Sequence, residues 1–386
     1  TQPLLGKVDP VRGALRLTHE YELMPNVGKL FDDLERVKIV DGRKPGGYTE
    51  SEVVELAEKQ IAEAASCLII VNTKKAARSL YRQCKDQVGG FVAHLSTSMC
   101  PAHRKQVLAD IVRRLDDDRR QPVLCISTQL IEAGVDVDFG AVIRYMAGLD
   151  SIAQAAGRCN RHKHRPRGYV HIVNPAEENL SRLPDIAIGI EKTKRVLDDF
   201  QSDRLRFDDN LIGPKAMDWY YESYFFARRH DMSYSVGAQT PGGDFGHTDT
   251  LLNLLSTNPT VAAEYGRRHG RMPDLYLRQS FMAAAKAFKA IDSPTQGVIV
   301  PFGEAGKGLI ADLCAAYEVE KQEELLRRAQ QFTVNVFSWE SEKLQKAGAV
   351  HPVQQGTGIL HLDPRYYSAE FGLVTEPVNL MEALIP

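Results

Sequence analysis

The sequence has no pair of cysteines at C-x-x-C spacing, no apolar run near the ~20 residues that a bilayer span needs, and no excess of either charge. Each absence closes a class. The six cysteines (Cys67, Cys84, Cys100, Cys125, Cys159 and Cys314) are scattered, several of them in apolar runs. That excludes a zinc ribbon or a disulfide scaffold and suits reduced core thiols and a cytoplasmic location. Without a spanning run or a signal peptide the chain is expected to be soluble, with no membrane partner. With 48 basic against 50 acidic residues and a formal net charge of -2, nothing global announces nucleic acid, so any basic site has to be local. No Gly-x-x-x-x-Gly-Lys-Ser/Thr string occurs. The nearest, Gly303-Glu-Ala-Gly-Lys307-Gly308, has Pro301 where the first glycine belongs and Gly308 where the magnesium-holding hydroxyl belongs, and reads as a turn. His230-Asp231 has no companion histidines at metal-site spacing. No metal ligand set is assigned.

At roughly 100 to 200 residues per domain, 386 residues should hold two or three compact units. Thr49-x-x-Glu52 is a capping-box pattern, and Val53, Leu56, Ala57, Ile61 and Ala64 follow at helical spacing, which predicts a helix over 50–65. A buried strand, Cys67–Val71, follows at once, and Asn72-Thr-Lys-Lys75 leads into a helix through about Lys85. The unit repeats: Val92–Leu95 before the helix Pro101–Leu115, Val123–Ile126 before a helix start at Thr128, Ala141–Tyr145 before a helix from Ser151, and Tyr169–Val173 to close. Such alternation predicts an α/β fold, a parallel sheet with helices on both faces.

After Pro175 the texture changes. Glu177–Arg206 reads as a charged linker helix with a narrow apolar stripe. The aromatics of 219–226 fall at helical spacing and suit packing against the preceding domain better than base stacking. Gly242–Asn258 reads as surface loop. From about Leu275 a small α+β domain is expected: helix Phe281–Ala290, strand Gly297–Pro301, helix Leu309–Tyr317, strand Phe332–Phe337.

The chemistry concentrates in two segments. Gln154-Ala-Ala-Gly-Arg158-Cys-Asn-Arg161, read as helix, puts Gln154, Arg158 and Arg161 on one face. Arginine's planar fork keeps its proton and matches phosphate oxygens two at a time, although Arg-x-x-Arg pairs on solvated helix faces are common. Ser127-Thr-Gln-Leu-Ile-Glu132-Ala-Gly134-Val-Asp136-Val-Asp138 directly follows a strand. Hydroxyls and free backbone donors at a strand end that feeds a helix make a phosphate-binding corner, with Gly134 permitting close approach and Asp136 placed to hold a sugar hydroxyl. Turns and caps use the same residues. The run Arg158–Arg167 is basic throughout, and His162 and His164 stand among its cations, where phosphate suits them better than metal. The shorter basic cluster Arg267–Arg271 with Arg278 suits a solvated surface.

Ser-Thr-Gln-x-x-Glu-x-Gly-x-Asp-x-Asp followed by Gln-x-x-Gly-Arg-x-x-Arg resembles motifs V and VI of superfamily 2 helicases. The fuller wording, Glu132–Phe139 with Ser151–Arg161, is similar to the type I CRISPR-associated helicase-nucleases, most like their I-C branch. Leu68–Thr73 resembles motif IV, His94–Thr97 with Met99 and Arg104 resembles the adjoining DNA-contact motif, and Phe281–Pro301 resembles the family's C-terminal domain. Thr1-Gln-Pro3 resembles the end of motif III.

The resemblance implies a layout. Residues 1–13 would end a first RecA-like domain, 14–176 form a second RecA-like domain, 177–274 a helical linker and 275–386 a C-terminal α+β domain. The P-loop, the Asp-Glu box and an HD nuclease domain would lie in a part preceding Thr1. It implies ATP as cofactor with Mg2+ held mainly by that other part, and a divalent transition metal in the HD domain. The implied partners are single-stranded DNA and an RNA-guided surveillance complex. Arg158 and Arg161 would both reach the triphosphate, Arg161 as the finger on the γ-phosphate and Arg158 sharing or supporting it, with Gln154 orienting them. Asp136 would contact the ribose with Gly134 beside it, and Asn72, Thr73, Ser96, Thr97, Arg104 and Thr128 would meet phosphates of the tracking strand. Ala155 stands where many superfamily 2 helicases have arginine, so that arginine's role is not carried over. Two other readings stand beside this one: a superfamily 2 helicase outside CRISPR defence, and a fragment that only binds DNA or the effector complex.

Overall fold

A computed structural model of the chain describes residues 23–25, 29, 35–116, 121–228, 231, 234–237, 248–289, 295–315 and 319–378. The motif III resemblance at Thr1–Pro3, the 1–13 segment, His230 and the expected loop over 242–247 lie outside them. Six strands form one parallel sheet: β1 (Val37–Asp41), β2 (Ser66–Ile70), β3 (Phe91–Leu95), β4 (Val123–Ser127), β5 (Ala141–Tyr145) and β6 (Gly168–Val173), in the order β1-β6-β5-β2-β4-β3. The strand β1 escaped the sequence reading, although Val-Lys-Ile-Val at 37–40 carries its β-branched signal.

The crossover helices cover both faces of the sheet, as its all-parallel pairing requires. Helices α1 (Glu50–Ala64) and α2 (Lys74–Gln87) bury Val54, Ala57, Leu80 and Cys84 against Cys67 and Ile69 of β2. Helices α3 (Pro101–Leu115) and α4 (Leu149–Ala156) bury Ile111, Ala155 and Ala156 against Leu68 and Ile70, the alternate residues of the same strand. The capping box forms as read: Thr49 Oγ1 accepts from the Glu52 N–H, and the Glu52 carboxylate accepts from the Thr49 N–H at 2.8 Å.

Beyond β6 the expected long helix is shorter, α5 spanning Pro184–Ser202, because Pro184 favours the first turn of a helix and 177–183 are not helical. Helix α6 (Pro214–Ala227) carries the aromatics. Tyr220 is buried and its hydroxyl donates to Asp150 at 2.9 Å, and Trp219 Nε1–H donates to Asp199 at 2.8 Å.

The chain divides into two compact units, one of Glu22–Tyr220 with Pro294–Pro386, the other including Tyr221–Ser293. The Tyr221–Ser293 unit holds the two-stranded pairing of β7 (Ser235–Val236) with β8 (Asp249–Thr250), followed by the helices α7 (Leu251–Leu255), α8 (Pro259–His269) and α9 (Phe281–Ala287). Residues 249–255 are thus ordered elements where surface loop was expected, and Arg268 of the basic cluster pairs with Glu264 at 2.9 Å.

The last segment builds a second sheet in the order β10-β9-β12-β11, from β9 (Thr295–Ile299), β10 (Thr333–Phe337), β11 (Val350–Pro352) and β12 (Leu360–Leu362). Helices α10 (Gly303–Ala315), α11 (Val319–Ala329) and α12 (Ser338–Lys346) accompany it. Gly303–Gly308, read as a turn, is the first turn and a half of α10, where Lys307 pairs with Glu304 at 2.8 Å. Among the described residues no helix is long and apolar enough to cross a membrane.

This sheet is clasped to the parallel one by a hairpin, β13 (Tyr367–Ser368) with β14 (Gly372–Leu373). The Leu373 N–H donates to Ser98 O at 2.8 Å, and Arg78 NH2 donates to both Leu373 O (2.8 Å) and Ser98 Oγ (3.2 Å). Phe371 enters the core of the parallel sheet, edge-on to Tyr81 and His94, while Cys100 enters the core of the second sheet. Gly372 takes φ +72°, and a Cβ there would lie 2.2 Å from Ser98 O.

Two buried histidines sit under the clasp. His94 Nδ1 lies 3.2 Å from Glu370 O, and His103 stacks on Phe302 at 4.3 Å with Nδ1 3.0 Å from the Tyr367 hydroxyl. Burial pushes both imidazoles down to about 4. Their folded values lie below the unfolded value of ~6.5, so the unfolded chain binds the extra protons, and stability is complete above that pH and lost as pH falls toward 4. Thermal unfolding followed from pH 7 to about 4.5 is expected to show a falling midpoint, and His94→Gln with His103→Gln should flatten that slope. An unchanged slope in the double variant would show that other groups carry it.

Candidate nucleotide and single-strand DNA site

The motif-bearing segments meet at the carboxyl ends of the parallel strands, where β2, β3, β4 and β5 release their loops on one edge of the sheet. After β4 the chain makes a single 3-10 turn, Gln129–Ile131, and no helix starts at Thr128. Without a longer helix the proposed phosphate corner has only this turn's backbone donors. Gly134 is exposed at φ +71°, with nothing within 4 Å of where a Cβ would stand.

The second departure is larger. Helix α4 stops at Ala156, so Gln154, Arg158 and Arg161 do not share a helical face. Two things end it. Gly157 is a poor helix former, and residues 158–160 are drawn alongside Phe139, whose N–H donates to Arg158 O (3.0 Å) and whose carbonyl accepts from the Asn160 N–H (2.9 Å). Asn160 then turns through φ +47°.

The three side chains consequently have different surroundings. Gln154 is exposed on α4. Arg158 is buried, with Nε donating to Ile131 O (3.0 Å) and NH2 to Glu132 O (2.7 Å), so it staples the turn after β4 to the loop after α4. Burial, followed by the neighbouring Arg161, lowers its pKa from the ordinary arginine value. Arg161 reaches outward, with Nε 2.7 Å from Asp136 Oδ1. Asp138, which carried no assigned role, receives the backbone N–H groups of Arg161 (2.7 Å) and His162 (3.0 Å). One carboxylate of the second segment thus fixes the backbone of Arg161 while the other pairs with its side chain. The Arg161 and Asp136 side chains are 38% and 71% exposed, so the pair is worth ~1 kcal/mol or less and is easily exchanged for a ligand. His162 and His164 edge toward the same two aspartates at 3.9 and 4.0 Å.

On the strand side, Asn72 is fully committed. Its N–H and Nδ2 donate to Glu178 (3.1 and 2.8 Å), Nδ2 also to Met146 O (2.9 Å), and Oδ1 accepts from Arg144 NH1 (2.8 Å). Glu178, whose partner Asn72 is brought near only by folding, left no signal in the sequence. Burial raises its carboxyl above the usual range. Ser96 is also inside: fully buried, with Oγ accepting from the Ser98 N–H at 3.4 Å. The side chains of Asn72 and Ser96 thus turn inward, toward the loops that they stand on. Thr73 caps α2 by accepting from the Ala76 N–H at 3.2 Å and stays partly accessible. Thr97 is exposed, and Arg104 is half-buried with an enclosed Nε that has no partner among the described residues. Thr128 is buried, its N–H donating to Leu95 O at 3.2 Å, with its hydroxyl making no cap.

Arg144 on β5 was likewise not singled out. It is fully buried, with Nε 2.9 Å from Glu132 Oε1, NH2 donating to Ser151 Oγ (2.9 Å) and NH1 to Asn72 Oδ1 and Tyr145 O (2.8 and 3.0 Å). The Nε–H points off the Glu132 oxygen, so that contact is an ion pair and not an aligned hydrogen bond. Ser151 Oγ donates to the other Glu132 oxygen at 2.7 Å. A cation inside the apolar run of a parallel strand was the available signal, since it requires a buried partner.

Residues 63–164, which hold all of these segments, match the family model described as CRISPR-associated nuclease/helicase Cas3, C-terminal. A CRISPR-associated nuclease/helicase Cas3 of Methanothermobacter thermautotrophicus is 29% identical over 151 residues, 38% of this chain and 16% of that protein. Its counterpart from Haloferax volcanii is 43% identical over 93 residues, 23% of this chain and 10% of that protein. A solved CRISPR-associated protein superposes with a TM-score of 0.54 at 16% identity, covering 89% of this chain and 41% of its own. These matches bear out the resemblance to the CRISPR-associated helicase-nucleases and the RecA-like fold, and they span less than half of each relative's length.

Proposed function

We propose that this chain is the motif IV to VI half of an ATP-driven single-strand DNA translocase that, with a nuclease, degrades foreign DNA in type I CRISPR interference. The observation that carries the reading is the mounting of Arg161. Asp138 fixes its backbone, Arg158 ties the two motif segments together, and its guanidinium is left half-exposed against an exposed carboxylate.

In this reading the triphosphate and its Mg2+ are held by a P-loop-bearing domain, and Arg161 turns from Asp136 to the γ-phosphate as the cleft closes. Asp136, released, accepts from the ribose hydroxyl beside Gly134. Arg158 positions and does not itself meet the phosphates, and Gln154 stands at the cleft edge to orient the incoming group. Thr73, Thr97 and Arg104 meet the DNA backbone, a contact that carries no sequence preference, with the buried Asn72, Ser96 and Thr128 shaping the loops they stand on. The nuclease, with its transition metal in an HD domain, and the RNA-guided surveillance complex that delivers the DNA are implied by the family likeness.

The test uses both lengths of protein. The full-length protein should hydrolyse ATP when single-stranded DNA is added, and the 386-residue chain alone should bind a thymidine homopolymer, more weakly at higher salt, without hydrolysing ATP. Hydrolysis by the chain alone would contradict the placement of the P-loop elsewhere, and full-length ATPase indifferent to DNA would overturn the translocase reading.

A further inference from the structure

Arg144 has no place in the reaction as read so far, yet it occupies the centre of the motif-bearing edge. It is fully buried, where apolar residues of similar volume often pack as well, so what the cation adds is the geometry of its contacts. Its fork touches three segments at once: Asn72 at the end of β2, Glu132 after β4 and Ser151 at the first turn of α4. Because the guanidinium is a rigid plane, NH1 cannot follow Asn72 without moving NH2 and Nε. From Glu132 the chain of contacts continues through its carbonyl to Arg158 NH2 at 2.7 Å, and so to the loop that carries Arg161.

We propose that Arg144 is a positioning residue that links the DNA-facing strand end at Asn72 to the nucleotide-facing pair Asp136 and Arg161. The proposal rests on the translocase reading. At the input, the Asn72 N–H, which adjoins the helix cap Thr73, donates to the Glu178 carboxylate. A DNA phosphate drawn to Thr73 competes for that N–H, freeing the Asn72 side chain to shift. At the output, the turn that bears Glu132 and the loop that bears Arg161 move together, because Arg158 staples them.

Hydrogen exchange of the 386-residue chain with and without a thymidine homopolymer tests the link. In the unmodified chain DNA should slow exchange at amides 72–76 and also change it at 129–136 and 158–162. Arg144→Lys keeps the charge but not the fork, and should retain the first effect and lose the second. Ser151→Ala, which removes one Arg144 arm and one hydrogen bond of Glu132 but leaves the Arg144–Glu132 ion pair, should weaken the second effect alone. In the full-length protein Arg144→Lys should cut DNA stimulation of ATPase about tenfold, with unstimulated ATPase and DNA affinity held within about twofold. Retained effects at 129–136 and 158–162 in both variants would overturn the link, as would a uniform loss of all three activities. DNA binding by the unmodified chain with no change at 129–136 would sink the link alone, whereas no DNA binding at all would sink the translocase reading beneath it.

Discussion

Arg161→Ala in the full-length protein is expected to reduce DNA-stimulated ATP hydrolysis by about 10³- to 10⁵-fold, the range an arginine finger supplies, with single-strand DNA affinity unchanged within about twofold. The expectation is sharp because little else depends on this side chain. Its charged partner among the described residues, Asp136, is mostly exposed, and the loop is held through the backbone by Asp138 and Asn160. The thermal midpoint should therefore stay within a few degrees, since exposed pairs contribute ~1 kcal/mol or less. Phosphate release with saturating DNA, read beside a melting curve, separates the cases. Unchanged hydrolysis would remove the finger assignment, and a parallel fall in midpoint would make Arg161 structural.

The second large effect concerns Gly372. An alanine there meets two penalties, a left-handed φ that costs ~1–2 kcal/mol and a Cβ 2.2 Å from Ser98 O, where the opposing atom is backbone and cannot swing away. The hairpin has to lift, giving up the Leu373–Ser98 hydrogen bond and the burial of Phe371. Losing an aromatic from a core costs ~3–5 kcal/mol, so Gly372→Ala should lower the melting midpoint by on the order of 10 °C. A shift under about 1 °C would show that the hairpin bears little load.

How far the sequence could be read differed from place to place. Around β2 and α1 the local signals agree with one another: a capping box, helical spacing, then five buried residues with β-branched character. Those elements fold within two residues of where the pattern puts them. The motif VI segment reads as helix by its small residues, yet stops at Gly157 because pairing with Phe139, some twenty residues upstream, outbids a weak helix end. No local pattern contains that competition. The same reasoning covers Asn72 and Ser96. Both belong to residue types that cap and bind phosphate, but whether a polar side chain faces solvent or a buried carboxylate depends on Glu178 or on the hairpin at 367–373, neither of which is near in sequence. Arg144 was legible in kind, as a cation that must find a partner inside a strand, though not in its choice of partners.

The clasp also sets a clock on synthesis. His94 and Glu370, which meet in the folded protein, are 276 residues apart in the chain. At a translation rate of ~5–20 residues per second, the slot between Tyr81 and His94 is made roughly 10–60 s before Phe371 emerges to fill it. During that interval the nascent parallel sheet carries an open aromatic cleft on its surface. The step that completes it is a closure across most of the chain, slow by topology and late by necessity. Nascent chains that stop short of Phe371 are thus the species most exposed to aggregation and to chaperone capture.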